Sequence, residues 1–124
     1  MKLQPSVWSM GITRAGVGAA FLTLPRTTAA AWVGETTAAQ PGVDVLARAL
    51  GARELVLGAG LVLAAARGRP VRGWLMAGVA ADAADAAVSV AARAELPRAK
   101  VVMVATVAAF SAASGAHLAY HLGR

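Results

Sequence analysis

The residues that could do chemistry in this chain are carboxylates and guanidiniums set inside long apolar runs. Asp82, Asp85 and Ser89 follow an i, i+3, i+7 spacing with Gly78 one turn earlier, so a helix would carry them as one polar, small-residue stripe. Gly51, Glu54 and Gly58 make a matching stripe upstream, and Gly11, Arg14 and Gly18 make another. Each charge is flanked by glycine, which lets helices approach closely in a membrane. Arg53 adjoins Glu54, and Arg48 lies near the start of the same apolar run. Ionisable groups at membrane depth need partners, and they mark ion or ligand paths, proton relays or structural pairs. Arg14, Arg48 and Arg53 balance Glu54, Asp82 and Asp85 three to three. The expected centre of the molecule is therefore a buried charge network of Arg14, Arg53, Glu54, Asp82 and Asp85, with Ser89 on the same polar stripe. Two kinds of chemistry fit it. Ion pairs can fix helix register without any reaction. Alternatively, Asp82 or Asp85 titrates during proton-coupled transport.

Other motifs carry less. His117 and His121 stand four apart, a metal-like spacing, but no third ligand lies near them, and interfacial histidines are the simpler reading. Asp82-Ala-Ala-Asp85 resembles the D-x-x-D of membrane phosphotransferases; Ala86 stands where those enzymes need glycine, and a second acidic pair is missing. There is no phosphate-cradling glycine loop, no Gly-x-Ser-x-Gly and no His-Glu-x-x-His. The absence of cysteine excludes disulfides, thiolate metal sites and thiol catalysis. No metal, cofactor or catalytic residue is expected. The net charge of +6 does not point to nucleic acid, because the basic residues are scattered singly between apolar stretches. The one cluster, Arg67, Arg69 and Arg72, has the character of a short cytoplasmic loop.

These residues need elements to hold them. Hydrophobic residues make up 58% of the 124 and charged residues 15%, against roughly 45–50% and 25% in soluble domains. The 33 alanines temper that figure, since alanine adds little to membrane insertion. Four segments reach the ~20 residues that a spanning helix needs: 6–24, 43–66, 71–92 and 99–122. The third is the weakest, because Asp82 and Asp85 each cost ~2.5–3.5 kcal/mol at a helix centre on insertion scales. A soluble bundle fits poorly with Leu55–Ala66 and Val101–Phe110, which are apolar all round. A cleaved leader fits poorly too, since Arg14 interrupts a run longer than a usual signal core. Arg26–Gln40, with Trp32, is expected to lie at the interface between the first two spans, and Pro41-Gly42 turns the chain into the second. The expected fold is all-α: one membrane domain, 1–124, with four transmembrane helices. Loop charges place both termini on the cytoplasmic side of the inner (plasma) membrane.

Helices two and three, folded about residue 69, set level those residues whose numbers add to about 138, so Arg53 faces Asp85. Arg14 enters from the other leaflet. It is expected to reach Glu54 only by extending along its helix, or to snorkel to the inner interface.

The stretch Arg48-Ala-Leu-Gly-Ala-Arg-Glu-Leu-Val-Leu-Gly58, followed by a basic turn and a helix with Asp82 and Asp85, resembles a family of small four-helix membrane proteins. These are common in actinobacteria, have no assigned function and are distantly DoxX-like in shape. The likeness runs from about Arg14 to Arg93. It implies a four-helix integral membrane domain and supplies no activity. Small multidrug exporters differ, since they carry a carboxylate in the first helix where this chain has Arg14. The leading expectation is an accessory or structural bundle in the lipid bilayer, working with a membrane-protein partner or a second copy. The alternatives are a small proton-coupled transporter or channel-like oligomer, and a membrane enzyme or redox-complex subunit.

The chain should remain in the membrane fraction through carbonate and high-salt washes and leave it only with detergent. Reporter fusions at successive loops should show four crossings. Release by carbonate alone would refute the assignment.

Overall fold

The structure, a computed structural model, describes residues 5–122. It contains six helices: α1 (Pro5–Thr23), α2 (Pro25–Val33), α3 (Glu35–Ala38), α4 (Val43–Ala66), α5 (Arg72–Ala91) and α6 (Arg98–Leu122). Among the described residues there are no strands. The first three expected spans agree with α1, α4 and α5 to within a residue, and the fourth agrees equally well with α6. α4, α5 and α6 are each long and apolar enough to cross a membrane alone, whereas α1 meets that test only together with α2. At 1.5 Å per residue, even the 20 residues of α5 extend ~30 Å, the thickness of the hydrocarbon core.

The break between α1 and α2 follows from Pro25. Proline disfavours helical geometry in the residue before it, and Leu24 leaves the helix at φ −128°, ψ 58°. Pro25 then opens α2, where its missing N–H costs nothing. The two helices meet at 112°. Gly34, at φ 87°, ends α2 while its N–H donates to the Ala30 carbonyl. The segment expected at the interface is thus two short helices folded across one end of the bundle. Trp32 turns inward, edge-on to Phe21 at 6.1 Å.

Two helix pairs make up the bundle. α1 packs along α4 and α5 along α6, while α4 and α5 approach each other at few points. The α1–α4 contact is set by glycine. A Cβ on Gly18 would lie 2.6 Å from the Gly51 carbonyl oxygen, and one on Gly58 would lie 2.5 Å from that of Gly11. These partners have numbers that add to 69, which fixes an antiparallel register with backbone against backbone. Between α4 and α5, Gly60 leaves the space that the Trp74 indole fills, and a Cβ there would fall 2.3 Å from the ring.

Polarity is distributed for lipid. Arg14, Glu54 and Asp82 are buried, while Val45, Leu46, Val56, Val107 and Phe110 lie outside, Phe110 at 76% exposure. Two apolar clusters occupy the ends. Val7, Leu61, Ala65, Leu75 and Ala119 form one, and Phe21, Ala29, Ala30, Ala38 and Ala47 form the other. The charged residues occupy the layer between them.

Gly58→Ala should lower the thermal stability of the detergent-solubilised protein by about 1–3 kcal/mol, because the new methyl meets backbone rather than a movable side chain. Gly16→Ala, with nothing within 4 Å, should be neutral or gain up to about 1 kcal/mol from helix propensity. Equal effects at the two sites would show that the α1–α4 contact is not as close as described.

Candidate functional site

The α1–α4 register determines where the charges meet. Arg14 lies midway between Gly11 and Gly18, and Glu54 midway between Gly51 and Gly58, so the two are level. The Arg14 guanidinium donates through Nη1 to Glu54 Oε2 at 2.6 Å and through Nη2 to Asp82 Oδ2 at 2.5 Å. Gly78 makes the second bond possible. The guanidinium lies across it, and a Cβ there would sit 3.3 Å from Arg14 Nη2. Ser111 on α6 donates to the same Asp82 oxygen at 2.7 Å and accepts weakly from Arg14 at 3.4 Å. One arginine thus touches side chains of α4, α5 and α6.

Arg53 forms the second node. Its Nη1 and Nη2 donate to Asp85 Oδ1 and Oδ2 at 3.0 and 2.5 Å, a bidentate fork, and its Nε donates to Glu54 Oε1 at 3.2 Å. Such forks are the strong form of the arginine–carboxylate pair. Glu54 bridges the two guanidiniums. The network runs Asp85–Arg53–Glu54–Arg14–Asp82–Ser111 without a gap. The Arg14 half is sealed, with side chains at most 10% exposed, whereas Arg53 is 35% and Asp85 16% exposed.

The structure places the five expected network residues together, and three expectations change. Arg14 neither snorkels nor stretches along its helix; the glycine register sets it directly opposite Glu54. Arg48 does not belong to the tally. It is exposed and donates to the Leu22 carbonyl at 2.6 Å, supplying a partner near the end of α1. The layer therefore holds two guanidiniums and three carboxylates, a formal charge of −1. Ser89 is buried but does not extend the charged stripe, because its Oγ accepts from Trp32 Nε1 at 3.2 Å and ties α2 to α5.

Oxygens of Glu54, Asp82 and Asp85 lie within 4.8 Å of one another, close enough to ligate a cation. Arginine side chains already occupy these carboxylates, since both guanidiniums donate to their oxygens. Among the described residues, His117 and His121 join no three-ligand group; their rings rest against each other at 4.4 Å.

Ser111 and Trp74 carry no sequence signal of their own, and Trp32 signals only an interfacial position. The helix-pair register supplies the signal for Ser111: antiparallel α5 and α6, aligned by Gly115 against Val79, bring it to Asp82.

A groove of about 960 Å³ runs along the side of the bundle between α1 and α6. Val17, Met103, Val107 and Phe110 line its flanks, Arg14, Arg53, Glu54, Asp82 and Asp85 reach its floor, and Trp32 stands at one end. On the inner side of Arg14 and Asp82 there is only a void of about 10 Å³, at the lower limit for a single water. Comparisons with protein families, with curated proteins and with solved structures gave no match, so the functional reading rests on this geometry.

Arg53→Ala and Asp85→Ala should be coupled by about 0.5–3 kcal/mol in a double-mutant cycle on thermal stability in detergent. Asp85→Ala should be the more harmful single change, since it strands a guanidinium that cannot shed its proton. Arg14→Gln should cost more than either, about 3–5 kcal/mol, because it leaves two buried carboxylates without their shared partner. Simple additivity of the Arg53 and Asp85 effects would mean that the pair does not interact.

Proposed function

We propose that this protein is an accessory membrane protein that takes an amphiphilic molecule from the bilayer into the groove between α1 and α6. The supporting observation is the direction in which the charged layer opens. Apolar clusters close the bundle interior at both ends, and the network is reached from the side. A channel needs a polar path along the membrane normal, and the void beyond Arg14 is too small to continue one. A lateral opening instead admits molecules that already reside in lipid.

The size is suitable. Pockets for small ligands run from about 300 to 1,000 Å³, and this groove lies near the top of that range. Its chemistry is divided in the same way as an amphiphile, with valine, methionine and phenylalanine along the flanks and ion pairs on the floor. The sealed Arg14 half of the network holds the helix pairs together, and the more open Arg53–Asp85 half faces the occupant. Binding rather than catalysis is the reading, because the Ser111 hydroxyl donates to a carboxylate that Arg14 already holds.

Protein extracted in mild detergent should retain an amphiphile detectable by native mass spectrometry. Val107→Trp, which fills the groove from α6, should remove most of it. Val102→Trp, on the same helix and exposed but outside the groove, should leave it bound. Equal retention in both variants would place the bound molecule on the general lipid-facing surface and end this reading.

A further inference from the structure

The charge of the layer specifies which kind of amphiphile fits. We infer that the groove takes a monovalent lipophilic cation, an ammonium- or phosphonium-type head on an apolar body, with its charge seated against Asp85. The inference rests on the groove reading and goes one step further, to the charge class of the ligand.

Three observations support it. First, two guanidiniums face three carboxylates, so the network has one acidic group more than it has guanidiniums to pair with. An uncompensated charge in a low-dielectric layer is expensive, and a single positive charge is its complement. Second, Asp85 is the accessible carboxylate. It lines the groove, and the Arg53 fork uses one site on each oxygen, leaving lone pairs directed elsewhere. Third, Phe21, Trp32 and Phe110 line the groove, and aromatic faces attract organic cations, more so when water is excluded. The lateral opening distinguishes this ligand from an inorganic cation, which would have to shed its hydration and cross lipid to enter.

The groups that face the site are Arg14 from α1, Arg53 and Glu54 from α4, Asp82 and Asp85 from α5, and Ser111 from α6. His117 is the other titratable group along the groove, ~9 Å beyond Ser111 at 1.5 Å per residue. The measurement is therefore made at several pH values, so that any contribution from His117 is read separately from that of Asp85.

The test is equilibrium binding to the full chain in phosphatidylcholine nanodiscs, with empty nanodiscs as the blank. The probes are tetraphenylphosphonium and its anionic counterpart of similar shape, tetraphenylborate. The expected result is saturable uptake of one phosphonium per chain, at least about tenfold tighter than the borate, as one charge contact in a partly desolvated site should give. Asp85→Asn should weaken the phosphonium by a similar factor. Val107→Trp, which leaves every ion pair in place, should abolish uptake and so reports on the groove even if the Asp85 variant folds poorly. Equal binding of cation and anion would overturn the charge assignment while leaving the groove reading intact. Competition by sodium or potassium chloride beyond simple screening would overturn it in favour of an inorganic cation site. Failure of both probes to bind saturably would overturn the inference and the groove reading together.

Discussion

One guanidinium holds this bundle together. Arg14 stands buried midway along α1 and bonds to Glu54 on α4 and Asp82 on α5, with Ser111 of α6 on the same carboxylate. Within the α1–α4 pair, backbones pack closely over glycine, and within the α5–α6 pair Gly115 receives the Val79 side chain. Between the pairs, contact passes through side chains, and the strongest of these are charged. An arginine cannot deprotonate to escape burial, so its carboxylates are obligatory partners. In hydrocarbon the hydrophobic effect gives helices little reason to associate, which leaves close packing and polar contacts to do so. Here the two are divided: glycine packing builds the pairs, and the ion network joins them.

The same arrangement explains the distribution of polarity. A water-soluble bundle would turn Arg14, Glu54 and Asp82 outward and Val56, Val107 and Phe110 inward; this one does the reverse. Apolar clusters at both ends keep the charged layer away from the membrane faces. Trp32 adds a second polar link through Ser89, so the short α2 is tied to α5 as well as packed on Phe21. What remains open is the side between α1 and α6, and there the network has its most exposed members.

Much of this was legible in the sequence. The four apolar segments coincide with α1, α4, α5 and α6 to within a residue, and residue numbers adding to about 138 put Arg53 opposite Asp85, which the structure shows as a bidentate fork. The glycine stripes on the first and second spans also contained the register of Arg14. Aligning Gly11 with Gly58 and Gly18 with Gly51 puts Arg14 level with Glu54. Loop length does not signal this pairing, because α1 has no short loop to α4. The sharp turn at Pro25 and the path through α2 and α3 separate them in sequence but not in space. Arg48 was counted with the network because its position along α4 says nothing about the direction it faces, and the adjacent end of α1 supplies its partner. Ser111 and Trp74 were invisible for a related reason. A serine or tryptophan in an apolar helix signals nothing until the facing helix is known.

The direct test of Arg14 as the joint is a distance measurement between the helix pairs. The chain has no cysteine, so spin labels can be placed without a background. Labels at Val56 on α4 and Val102 on α6, both lipid-facing, report the separation of the pairs; labels at Ile12 on α1 and Val56 report the spacing within one pair. Pulsed electron–electron resonance in nanodiscs should give a narrow distribution for both in the parent chain. In Arg14→Gln the distribution between pairs should broaden and lengthen, while the one within the α1–α4 pair stays narrow. An unchanged distribution between the pairs would contradict the role assigned to Arg14 and would mean that the Arg53–Asp85 fork and packing suffice to join them.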